Sequence, residues 1–162
     1  MRCYTQQECE EWLSGRQRRK PDAEPSLHRE HIHYPRDLGR VLYLARWIAA
    51  ALTFRKPALL WITEWSIWIE NWHLYYKLRQ SYSDHRLLHE APGHPFLEHE
   101  TEDLASFLQV AFMNGWGGYF LAHADYINAF FSHDGYINFF AEREESLAEA
   151  RKEFGAEQEK AE

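Results

Sequence analysis

The stretch from Gly117 to Ala141, GGYFLAHADYINAFFSHDGYINFFA, decides the fold class. Asp134-Gly135 is a strong two-residue hairpin signal, because both positions of such a turn favour positive φ. The segments around it are rich in aromatic and β-branched residues, which fit a pleated surface. Strands are therefore expected over Gly117 to Ala122, Tyr126 to His133 and Tyr136 to Ala141. With a two-residue turn, His133 faces Tyr136, Phe131 faces Asn138 and Phe130 faces Phe139. Apolar residues fall on both faces of this meander, so both faces should be covered.

Helical patterns precede the meander. Leu104, Phe107, Leu108, Ala111 and Phe112 recur at helical spacing from about Thr101. Asn114-Gly115 then reads as a helix stop. Arg36 to Phe54 carries Leu38, Val41, Leu42, Ala45, Ile48, Ala49 and Leu52 on a helical stripe. Between these two helices, Ala58 to Thr63 is short and continuously apolar, which suits a buried strand. Trp61, Trp65, Trp68 and Trp72 also form a helical stripe, but Pro57 and the β-formers Trp-Ile-Thr favour a strand followed by a helix from about Glu70 to Ser81. Thr5 and Glu8 form a capping-box pair for a short N-terminal helix ending near Gly15. Residues 16–35 are polar, contain Pro21, Pro25 and Pro35, and read as an extended surface linker. A charged helix with only Leu147, Ala150 and Phe154 on its apolar stripe closes the chain.

The expected fold is a single α+β domain: an antiparallel C-terminal β-meander plus one earlier strand, packed with helices. Residues 1–35 form the N-terminal helix and linker, 36–141 the core, and 142–162 the charged helix. A length of 162 residues with 45% hydrophobic content suits one core, and 16% aromatic content makes that core rich in large rings.

The formal charge of −7 argues against a general affinity for nucleic-acid backbones. The basic run Arg16 to Lys20, with Trp12 and Tyr4 near it, is the exception, and no nucleic-acid motif accompanies it. Cys3 and Cys9 do not make a disulfide framework, and no apolar leader follows Met1, so a cytoplasmic location is expected. Val41 to Phe54 contains Arg46 and is too short to span a bilayer of ~30 Å.

Two histidine groups raise the question of a divalent metal such as zinc. His28, His31 and His33, with Glu30 among them, lie in the linker. His85, His89, His94 and His99 lie in the loop from Ser83 to His99, with Asp84, Glu90 and Glu98 among them and Glu100 just after. The helical His-Glu-x-x-His arrangement fails there, because His94 is five residues after His89 and Pro92-Gly93 intervenes. A metal-dependent hydrolase on these four histidines is the alternative reading.

Ser132-His133-Asp134 cannot act as a relay from one strand, where neighbours face opposite ways. His133 would become a base only if Glu64 or another acid approached it. Glu64 itself, between Trp61 and Trp65, is expected either among indoles, where its charged form is disfavoured, or exposed or paired with Arg55, Arg79 or Arg86.

The most distinctive set is Trp61, Trp65, Trp68, Trp72, Tyr75 and Tyr76, with Arg79 and Arg86 nearby. Trp, Tyr and Arg dominate binding hot spots. Trp65, Trp68, Trp72, Tyr76, Arg79 and Arg86 are accordingly the candidate binding residues.

Asn114-Gly115-Trp116-Gly117-Gly118-Tyr119, then Phe131-Ser132-His133-Asp134 and Tyr136, resembles small bacterial proteins of unknown function, some of them like the immunity proteins of toxin systems. The likeness spans roughly Trp61 to Phe140. Gly135 stands where that pattern has an acidic residue, and no residue role carries over. The resemblance implies a protein that binds and blocks a partner. With no coherent catalytic set, the leading expectation is a non-enzymatic protein-binding domain without a cofactor. The acidic balance suits a basic partner. A structural subunit assembling through the C-terminal helix is a further alternative.

Overall fold

The computed structural model describes residues 2–15, 19–52, 57–66, 69–122 and 127–155. In chain order these form α1 (Gln6–Ser14), β1 (His28–His33), α2 (Leu38–Leu52), β2 (Ala58–Glu64), α3 (Ile69–Ser81), β3 (Gly93–Phe96), α4 (Thr101–Met113), β4 (Gly117–Leu121), β5 (Asn128–Ser132), β6 (Tyr136–Ala141) and α5 (Ala148–Phe154). The strands make one six-stranded sheet in the order β1-β6-β5-β4-β2-β3, antiparallel throughout. The α+β expectation and the antiparallel C-terminal meander both hold.

Two strands were concealed in segments that read as linker and loop. His28–His33 lies within the polar linker, yet it pairs along its length with β6 at one sheet edge. It carries no buried/exposed alternation: of its six residues Ile32 alone is buried. Gly93–Phe96 lies inside the loop and pairs with β2 at the other edge. Pro95 is tolerated there because an edge strand has one side without a neighbour to bond.

The central hairpin differs in register. Ser132 faces Tyr136, Phe131 faces Ile137 and Phe130 faces Asn138, one residue away from the expected pairs. The connection has three residues, His133, Asp134 and Gly135. Gly135 is the third, at φ +84°, and its N–H donates to the Ser132 carbonyl at 3.2 Å. A three-residue loop ending in a left-handed glycine is the next commonest hairpin. The Asp-Gly pair marks the turn correctly but sits one position later within it.

Both sheet faces are covered, as the sequence implies. Leu60, Ile62, Phe120, Phe131, Ile137 and Phe139 point toward α2 and α4 and form the main core. Leu59, Trp61, Tyr119 and Leu121 point the other way, against Cys9, Trp12 and Leu13 of α1. The expected capping box starts α1: the Thr5 N–H donates to Glu8 Oε2 at 2.7 Å, and the Glu8 N–H donates to Thr5 Oγ1 at 3.2 Å. α4 stops where Gly115 turns left-handed at φ +61°. The thin stripe of the last helix is fully used, with Leu147, Ala150 and Phe154 all buried. Phe154 packs edge-on against Trp47 of α2 at 5.4 Å. No helix among the described residues is long and apolar enough to cross a membrane.

Candidate functional site

α3 follows β2 as expected and presents two differently used faces. Tyr75 and Arg79, one turn apart, are turned into the protein and are fully buried. Trp72 and Tyr76, also one turn apart, are half-buried and face the segment 85–89. There they line a groove of about 330 Å³ with His73, Leu87, Leu88 and His89. The Trp72 indole N–H donates to the Ser66 carbonyl at 2.7 Å, and the Tyr76 hydroxyl donates to the His85 carbonyl at 2.9 Å. Both rings are thereby fixed at their polar ends while their carbon faces form the wall. Leu87 is 51% exposed, an unusual position for a leucine beside two aromatic rings.

The loop that supplies the other wall is anchored beneath α3. Ser83 adopts φ +65°, a left-handed conformation that costs a non-glycine residue about 1–2 kcal/mol. The turn wraps over the helix end, with the Tyr82 and Asp84 N–H groups both donating to the Arg79 carbonyl. Asp84 is thus delivered between two guanidinium groups. Arg79 Nη2 donates to its Oδ1 at 3.1 Å and Arg86 Nη2 to its Oδ2 at 2.5 Å. Burial opposes ionisation of Asp84, but hydrogen bonds from Arg86 outweigh it and hold the carboxyl well below its usual range. Arg86 also donates to the Cys3 carbonyl at 2.9 Å, tying the N-terminal segment to this loop.

Behind Arg79 lies His94, wholly buried, with the Tyr75 hydroxyl 2.8 Å from its Nε2. Burial, aided by the charge of Arg79, lowers its pKa to about 3, so the ring is neutral. Cys3 and Cys9 are free thiols, and burial raises them to about 11 and 12. Neither is disposed to act as a thiolate nucleophile.

The candidate residues therefore divide. Trp72 and Tyr76 face the groove. Trp65 is half-buried and packs against Trp116 at 4.8 Å, so it belongs to the core margin. Arg79 is buried and Arg86 is bound to Asp84, so both support the loop and leave the groove to others. Trp68 lies outside the described residues. The sequence reading missed His73, Leu87 and Leu88. The available signal was Leu87-Leu88 itself, an apolar pair inside the otherwise polar run from Ser83 to Glu90.

The metal candidates are not brought together. His94 is enclosed against Tyr75, while His85, His89 and His99 are exposed. Strand alternation also divides the linker group: His31 and His33 share one face, their rings 4.9 Å apart, and His28 lies on the other. The Nδ1–H of His31 donates to Asn138 Oδ1 at 2.8 Å. Among the described residues, no three His, Cys, Asp or Glu side chains gather as a ligand set.

On the opposite sheet face, Glu64 reaches His133. Its Oε2 accepts from Nδ1 at 2.6 Å, and Asp134 Oδ1 lies 3.4 Å from Nε2. The acid that the sequence required beside His133 is present. Of the alternatives for Glu64, the exposed one holds: its side chain is 48% exposed, not enclosed by indoles, and Arg79 and Arg86 pair with Asp84 instead. Arg55 lies outside the described residues. His133 is raised by the bond from Glu64 and by Asp134. Ser132 is no third member of a relay, because its Oγ accepts from the Asp134 N–H at 3.1 Å within the turn.

No protein-family model, curated protein or solved structure matches this chain.

Proposed function

We propose that this chain is a non-enzymatic protein-binding domain, immunity-like in role, that seats a bulky apolar side chain of its partner between α3 and the segment 85–89. The observation that carries this reading is the groove itself. Trp72, Tyr76, Leu87 and Leu88 form an apolar recess open at the surface, built on a helix and braced from below by Arg79, Asp84 and Arg86. Its volume of about 330 Å³ stands at the small end of ligand pockets. That size suits an anchoring side chain better than a whole cofactor. Large residues filling a preformed recess are what hot spots consist of. The resemblance to immunity-like proteins spans the groove and agrees with a blocking role.

A divalent-metal hydrolase on His85, His89, His94 and His99 draws no support from their placement. The partner is sought by replacing Leu87 with a photo-reactive residue in the full chain, expressed in its own cells. One discrete protein adduct is expected, absent when the same group replaces the exposed Glu149. Equal adducts from both positions, or none from position 87, would count against the groove as a binding site.

A further inference from the structure

We infer that the segment entering the groove is acidic: a bulky apolar anchor flanked by aspartate or glutamate. This rests on the groove being the binding site, and it concerns what surrounds the anchor. The exposed polar side chains described around the groove are one ammonium and imidazoles, each of which has an N–H to donate. His73 lines the groove on α3, and Lys77 follows it one turn later on the same helix face. On the loop side, His85 is held beside Tyr76 through its carbonyl, and His89 lines the wall. All four are exposed.

The two acids of the same wall are turned back onto their own chain. Asp84 is only 12% exposed and lies between Arg79 and Arg86. Glu90 Oε2 accepts from the Leu87 N–H at 2.7 Å. Among the described side chains, the groove thus presents the His73 and His89 rings on its two walls, with the Lys77 ammonium one turn further along α3. A carboxylate accepts from those N–H groups and pairs with the Lys77 ammonium, whereas a lysine or arginine would face like charge there.

This runs against the expectation from net charge. A total of −7 favours a basic partner at long range. Exposed charges farther apart than about 8 Å are largely screened at physiological salt, so the groups at the rim decide local chemistry.

The test is selection of a displayed library of random short peptides on the full-length protein, with counter-selection on L87E. Leu87 is half-exposed, so this change leaves the fold intact. Enriched peptides should carry an aromatic or aliphatic anchor with Asp or Glu beside it. Their affinity should fall about two- to fivefold in K77E, as for an exposed charge pair. Enrichment of basic or uncharged peptides that still require Leu87 would overturn the acidic assignment and leave the groove standing. Peptides bound equally by L87E would overturn both.

Discussion

Glu64 crosses β4 at Gly117 to hold His133. Gly117 is the residue opposite Glu64 in the β2–β4 pairing, and a Cβ built on it would collide with the Glu64 carboxylate. The missing side chain leaves the path along which Glu64 Oε2 comes within 2.6 Å of His133 Nδ1. Gly117→Ala must push that carboxylate aside. Overpacking of this kind costs typically 1–3 kcal/mol, and because Glu64 is half-exposed the lower end is expected. Urea unfolding of G117A should show the loss, and an unchanged midpoint would show that Glu64 moves freely.

His133 itself gives a signed pH effect. Its folded pKa is raised above the unfolded value by Glu64 first and Asp134 second. The pair therefore contributes fully below the unfolded value of ~6.5 and is lost as pH rises through the folded one. NMR titration of the His133 ring should report a raised pKa that falls in E64Q. The same value in both proteins would mean that the bond does not form in solution.

His94 acts in the opposite direction. Burial holds it neutral down to about pH 3, while the unfolded chain takes up a proton near ~6.5. Its contribution is complete above that value and declines as pH falls toward 3. Stability should thus drop on acidification below about 6.5, and H94Q should flatten that part of the profile. An identical acid slope in H94Q would place the sensitivity elsewhere.

Asp84 is the keystone of the loop beneath the groove. Asp84→Asn leaves the fully buried Arg79 guanidinium without its carboxylate, and breaking a buried pair costs about 3–5 kcal/mol. Arg86 is partly exposed, so the loss should come chiefly through Arg79. Thermal unfolding of D84N and R79M, with the double variant, should show strong coupling. Additive losses would mean that the two side chains act independently.

Much of this was legible from residue pattern. Helix α2, the strand at Ala58–Glu64, the N-terminal capping box and the Leu147-Ala150-Phe154 stripe follow from periodicity and caps, which act within a few residues. The edge strand His28–His33 was not, because its single buried residue gives no alternation to detect; its strand state comes from pairing with β6, over a hundred residues away. Gly93–Phe96 was hidden by Pro95. The hairpin register turned on whether Gly135 stands second or third in the loop, which Asp-Gly alone does not decide. At the site, aromatic content identified Trp72 and Tyr76. It did not separate them from Trp65, which packs into the core margin, nor reveal that Arg79 is buried. Those differences depend on which face of α3 meets the loop, and the left-handed turn at Ser83 sets that loop's course.

The central claim is that the recess of Trp72, Tyr76, Leu87 and Leu88 binds a partner's apolar anchor. Its most direct measurement is calorimetric titration of the protein identified by crosslinking at position 87 against the wild-type chain and L87E. Losing a leucine-sized apolar contact is worth about 1.5–3 kcal/mol, so L87E should bind roughly ten- to a hundredfold more weakly with an unchanged melting temperature. Equal affinity for the two proteins would contradict the claim and move the binding surface away from α3.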